Sequence, residues 1–160
     1  FQVLEAVPGD KIIFGFSCPA MAGLLAANGR DDIQAVICNG GPFADIWACT
    51  DRLFDQFQNI PTTLLRHIIT TLGVWRLGLQ ALDDTAATLR AWPTNRPILS
   101  IRGSKDPLVY PKNIDKVFSP HKNLDIEVLT LPEGKHIDGL KSFPYEYKKA
   151  VRTFFEKLSK

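Results

Sequence analysis

The stretch IIFGFSCPAMAGLLAA, residues 12–27, decides how the rest of the chain is read. Its first part lies in KIIFGF (11–16), a short apolar run with β-branched residues, the pattern of a strand buried on both faces. From Cys18 on it is rich in alanine and leucine, and Asn28-Gly29 follows as a stop, so a helix is predicted over 18–28. Pro19 suits the first turn of such a helix, where a missing N–H breaks no hydrogen bond. Ser17 thus stands at a strand-to-helix elbow, two residues after Gly15. Two readings are open for it: a nucleophile presented on a sharp turn, or a small residue capping a helix. Gly15 lets strand and helix approach each other. Pro19, two residues after the serine, stands where a second glycine would ease that corner.

Working outward, IQAVICNGG (33–41), RPILSIRGSKD (96–106) and LDIEVLTLPEGKH (124–136) repeat the strand pattern, and each runs into a glycine. Strands are expected near 11–16, 33–39, 97–102 and 124–131. A short helix is expected over 112–118. In YEYKKAVRTFFEKL (145–158), Tyr147, Val151, Phe154, Phe155 and Leu158 share one helical face. Strands alternating with helices predict an α/β fold with one parallel sheet. Residues 43–93 break that rhythm. They lack period-2 alternation, and IPTTLLRHIITTLGVWRLGL (60–79) spaces Leu64, Ile68, Leu72 and Trp75 as a helix does. The chain therefore divides into a core (1–42 and 94–160) and an insert of three or four helices (43–93). The insert follows the C-terminal end of a strand, where open α/β sheets bind ligands, so it reads as a cap or lid.

A length of 160 residues suits one domain with a sizeable core. A net charge of +2 lacks the concentrated basic face of a nucleic-acid binder, and Lys148, Lys149, Lys157 and Lys160 read as a solvated helix face. No run approaches the ~18 apolar residues of a membrane span, and Glu5, Asp10 and a Pro-Gly turn leave no signal peptide in residues 1–12. Neither nucleic acid nor membrane is expected as a partner. Cys18, Cys38 and Cys49 are odd in number and lack metal-ligand spacing, so they read as reduced, mostly buried thiols of a cytoplasmic protein. No cofactor or metal is expected. FQVLEAVPGDK (1–11) reads as the tail of a helix closed by Pro8-Gly9, and the chain is expected to be the C-terminal portion of a longer protein.

Two further residues share the context of Ser17. Asp106 follows Gly103 past a buried strand. A carboxylate there can accept from a histidine Nδ1 and hold the productive tautomer, or it can shape the turn before Pro107. His136 follows Gly134 past the next strand, as a general base or as a solvated loop residue. All three lie at C-terminal ends of predicted strands, where one sheet edge gathers them. Cys18 is a candidate oxyanion donor through its backbone N–H, and an alternative thiolate nucleophile at a helix start. Phe16, Asp45 and Trp47 are candidate substrate contacts, the latter two at the entrance to the cap. His67 reads as structural and His121 as exposed. Asp138 lies beyond the strand end and suits the acid role less than Asp106.

On these residues the chain resembles the α/β hydrolases. GFSC (15–18), GSKDPLV (103–109) and EGKH (133–136) look like that family's three active-site blocks, in its chain order Ser, Asp, His. The likeness runs from that fold's fifth strand to its last helix. AVICNGGPFADIWA (35–48) with the helical insert after it is similar to a narrower branch, that of fermentation/respiration switch proteins, polyketide-shortening hydrolases and pseudooxynicotine hydrolases. The resemblance implies a serine hydrolase in which Ser17 attacks, His136 moves the proton and Asp106 orients His136. Its expected substrate is a small molecule, the ester, thioester or activated C–C bond of an apolar or aromatic acyl group. The resemblance also implies that four strands and a second oxyanion donor precede Phe1. The strand at 11–16 would then be an edge, completed by an N-terminal segment or by a homodimer, and the 160 residues alone would be a weak enzyme. A different expectation is a non-catalytic regulatory or interaction protein of the same fold, with Pro19 marking a relaxed elbow. The Ser17–His136 distance separates the two.

Overall fold

Four runs of β-branched and apolar residues form the strands β1 (Lys11–Phe16), β2 (Ile33–Asn39), β3 (Ile98–Gly103) and β4 (Ile126–Leu131). The computed structural model describes residues 2–56, 58, 60, 62–77 and 80–159, and only the backbone at 2, 3, 76 and 77. Expectations touching Phe1, Lys160 and positions 57, 59, 61, 78 and 79 lie outside the described residues. The helices are α1 (Gln2–Ala6), α2 (Cys18–Ala27), α3 (Ile46–Gln56), α4 (Thr63–Leu77), α5 (Ala81–Arg90), α6 (Pro111–Phe118), α7 (Gly139–Ser142) and α8 (Pro144–Leu158). The strands pair in the order β1-β2-β3-β4, and every pairing is parallel. Boundaries differ from the sequence reading by a residue or two, and α7 has no periodic signal because four residues are too few to show one.

Successive side chains of β2 point to opposite faces of the sheet, and both faces are covered. On one face Val36 and Cys38 meet Ala20 and Leu24 of α2, Leu89 of α5 and Ile114 of α6. On the other, Ala35 and Ile37 meet Tyr147 and Phe154 of α8. Burying one such large side chain stabilises the fold by about 1.5–3 kcal/mol. This three-layer core sets the C-terminal ends of the strands side by side: Phe16 is level with Asn39, and Gly103 with Leu131.

The structure corrects some of the sequence readings and completes others. β1 is not buried on both faces: Ile12, Phe14 and Phe16 are exposed. β1 is the outer strand of the sheet, and α8 covers the same face only further along. On α8, Phe155 is exposed, because it lies about 100° round the helix from the fully buried Phe154. The stripe Leu64, Ile68, Leu72 and Trp75 of α4 is helical but faces outward, and Thr70 and Val74 are the buried positions. Cys38 and Cys49 are buried, whereas Cys18 is exposed. His121 is half-buried, not exposed, and burial pushes its pKa down. Among the described residues no helix is long and apolar enough to cross a membrane.

Candidate active site

The elbow is built from backbone. β1 ends at Phe16, and Ser17 adopts φ 53° and ψ −129°, a left-handed conformation for a residue with a Cβ. Such a conformation costs on the order of 1–3 kcal/mol and persists only when its surroundings hold it. Here the Ser17 N–H donates to the Asn39 carbonyl at 2.8 Å, and the Ser17 carbonyl accepts from the Ala20 N–H at 3.0 Å. Two glycines allow the close approach. A Cβ on Gly15 would lie 2.5 Å from Ala20 Cα, and one on Gly41 would lie 2.3 Å from the Ser17 carbonyl oxygen. The tight corner is thus made by the Ala20 backbone and the Pro19 carbonyl. Cys18 opens α2. At that position its N–H has no carbonyl four residues back within the helix, and the positive end of the helix dipole surrounds it.

Asp106 is almost wholly buried. Its Oδ1 accepts the N–H groups of Leu108 and Val109, both at 2.8 Å. Its Oδ2 meets His136 Nδ1 at 2.7 Å. The turn reading and the histidine reading of this residue are therefore compatible, one on each oxygen. A carboxylate only accepts, so a neutral imidazole at His136 carries its proton on Nδ1 and leaves the Nε2 lone pair free. That lone pair faces Ser17 Oγ at 3.0 Å. The structure thus lines up Asp106, His136 and Ser17 in one chain of hydrogen bonds.

The loop bearing His136 is fixed from two sides. Lys105 N–H donates to the Gly134 carbonyl at 3.0 Å. Asp138 accepts the Lys135 N–H at 2.8 Å and the Ser142 hydroxyl at 3.0 Å, so its carboxylate holds the loop and not the imidazole. Gly103 is pressed against this loop, since a Cβ there would lie 2.2 Å from the Gly134 carbonyl oxygen. Gly103→Ala is expected to destabilise the fold by about 2–3 kcal/mol through overpacking, lowering the melting temperature by roughly 5–10 °C. An unchanged melting curve would show that the loop yields freely.

The other candidate residues are placed differently. The Phe16 ring stacks on Phe14, with centroids 4.6 Å apart, on the open face of β1. Asp45 accepts the Ala48 N–H at 3.2 Å at the start of α3. Trp47 donates to Thr71 at 3.4 Å and tilts over His67, 5.0 Å between centroids. His67 also lies 3.7 Å from Asp51. These contacts tie Asp45, Trp47 and His67 into the α3–α4 segment. Arg52 of α3 donates to the Leu108 carbonyl at 3.0 Å, anchoring that segment beside Asp106 at the C-terminal edge of the sheet. Sequence reading overlooked Gly41, Asn39 and the Leu108 and Val109 amides. Only the Gly40-Gly41 pair after β2 offered a signal. The others act through backbone groups or distant contacts, such as the Asn39 side chain donating to the Tyr147 hydroxyl at 3.0 Å.

No protein-family model matches this chain, and no curated protein sequence matches it. Solved structures do. An esterase of Pyrococcus furiosus is 18% identical and superposes over 92% of this chain and 54% of its own, with a TM-score of 0.71. An α/β hydrolase from the sediment metagenome of the Mar Chica lagoon in Morocco is 16% identical over 99% of this chain and 67% of its own, at 0.67. A serine hydrolase involved in carbazole degradation is 15% identical over 97% of this chain and 67% of its own, at 0.62. The chain spans about half the length of the Pyrococcus esterase. Four parallel strands between helical layers, matched over nearly the whole chain by these proteins, give it the fold of the α/β hydrolases.

Proposed function

We propose that the chain carries the catalytic half of a serine hydrolase that cleaves an ester, a thioester or an activated C–C bond. The observation that carries this reading is the unbroken relay from Asp106 Oδ2 through His136 to Ser17 Oγ, at 2.7 and 3.0 Å. A serine within hydrogen-bond reach of the histidine favours an enzyme over a non-catalytic protein of this fold. The esterases and hydrolases that share the fold support the same reading.

For an ester, Ser17 Oγ attacks the carbonyl carbon as its proton passes to His136 Nε2. The Cys18 N–H donates to the oxyanion that develops. When the tetrahedral adduct collapses, the C–O bond to the alcohol breaks and His136 returns its proton to that oxygen. Water then attacks the acyl-serine, giving a proton to His136, and the acid leaves as the proton returns to Ser17 Oγ. The α3–α4–α5 segment serves as a cap over this edge, as the Arg52–Leu108 bond suggests. A fluorophosphonate probe tests the reading directly. It is expected to label the chain at Ser17, and Ser17→Ala is expected to abolish labelling. Equal labelling of the variant would assign the reactive group elsewhere.

A further inference from the structure

Beside the elbow, a cavity of about 170 Å³ runs between the outer face of α2 and the loop that follows β2. Cys18, Met21 and Leu25 line it from the helix; Pro42 and Phe43 of the loop, Ile46 at the start of α3 and Ala81 at the start of α5 complete the walls. We propose that this cavity is the acyl pocket, holding an uncharged apolar acyl group of up to about six carbons or one aromatic ring while Ser17 attacks its carbonyl. The proposal rests on the serine-hydrolase reading and adds to it a location and a size limit.

Three observations carry it. The first is adjacency. Cys18 presents its N–H at the elbow and its side chain to the cavity. A carbonyl whose oxygen meets that N–H therefore lies against a residue that also forms the cavity wall. The second is rigidity. Gly41 is pressed against the Ser17 carbonyl, so Pro42 and Phe43, which follow directly, are fixed relative to the nucleophile. The third is chemistry. Among the described residues every lining side chain is uncharged, so a carboxylate or ammonium entering there would lose its hydration and find no partner. An engineered apolar cavity of about 150 Å³ accommodates one benzene ring, which sets the scale for this one.

Cys18 supplies a reporter that does not depend on turnover. Burial pushes all three thiols up, Cys38 to about 12 and Cys49 to about 11, and the side chains of Cys38 and Cys49 are themselves buried, out of reach of a reagent. Cys18 is exposed and borders the cavity. Alkylation of Cys18 by iodoacetamide, followed by mass spectrometry, is measured with saturating 2-octanone and with acetone. The first ketone carries a six-carbon chain and the second none. 2-Octanone is expected to slow alkylation at least fivefold while acetone leaves it unchanged. In Ala22→Trp, which fills the cavity from α2, the protection is expected to disappear, and its melting curve reports whether the fold is intact. Equal alkylation with both ketones in the wild-type chain overturns the proposal. The two readings fail separately. Fluorophosphonate labelling of Ser17 without protection of Cys18 removes the pocket alone. Protection of Cys18 without labelling at Ser17 leaves an apolar binding site and removes its acyl role.

Discussion

On the serine-hydrolase reading, Ser17→Ala and His136→Ala in a completed protein are each expected to lower kcat for ester hydrolysis by about 10⁴–10⁶, with the double variant no slower than the worse single one. The expectation follows from the geometry of the relay. Ser17 Oγ is a weak nucleophile until its proton has somewhere to go, and the only arranged acceptor among the described residues is His136 Nε2, 3.0 Å away. Remove the imidazole and the hydroxyl attacks with its proton still attached. Remove the hydroxyl and the imidazole has no serine to activate. On the proposed mechanism the two groups perform one step, so the second deletion removes nothing that the first has left. Rates measured on a p-nitrophenyl ester for the wild type, both single variants and the double variant decide the matter. Losses that multiply would mean that Ser17 and His136 act independently and that the relay is not the catalytic device.

Asp106→Asn is expected to cost about 10⁴ in kcat while changing the melting temperature little. The two oxygens of Asp106 have different tasks. Oδ1 is committed to the Leu108 and Val109 amides, both donors. An amide introduced at this position must keep its carbonyl oxygen there, which turns its NH₂ toward His136 Nδ1. Two donors cannot share that bond, so the imidazole must accept at Nδ1 and carry its proton on Nε2. The proton then points at Ser17 Oγ and the base is lost. Because the amide oxygen still closes the turn, the loop keeps its shape, and the loss belongs to catalysis. A pair of measurements tests this: kcat for Asp106→Asn, and its thermal melt beside that of the wild type. A variant within tenfold of wild-type kcat would show that Asp106 shapes the loop without orienting the base.

The sequence by itself determined what depends on neighbours along the chain. Four apolar runs read as strands because β-branched side chains fit a pleated, covered surface, and the helices between them require parallel pairing. Ser17 could be placed on an elbow because Gly15, Pro19 and the change of hydrophobic period all lie within a few residues of it. Asp106 and His136 could be placed at strand ends because Gly103 and Gly134 mark those ends. Tertiary structure decided what depends on residues far apart. Asp106 divides its oxygens between its own turn and a histidine 30 residues later, which no local pattern encodes. The need for glycine at 41 comes from the Ser17 carbonyl, and at 103 from the Gly134 carbonyl. The α4 stripe has the spacing of a packed helix, yet it faces outward, because α4 turns Thr70 and Val74 inward beside α3. Periodicity reports that a helix has an apolar face, whereas the direction of that face follows from the neighbours the fold supplies. For the same reason the cavity beside Cys18 is invisible in the sequence: its walls come from α2, the loop after β2 and the first residues of α3 and α5, which only the fold brings together.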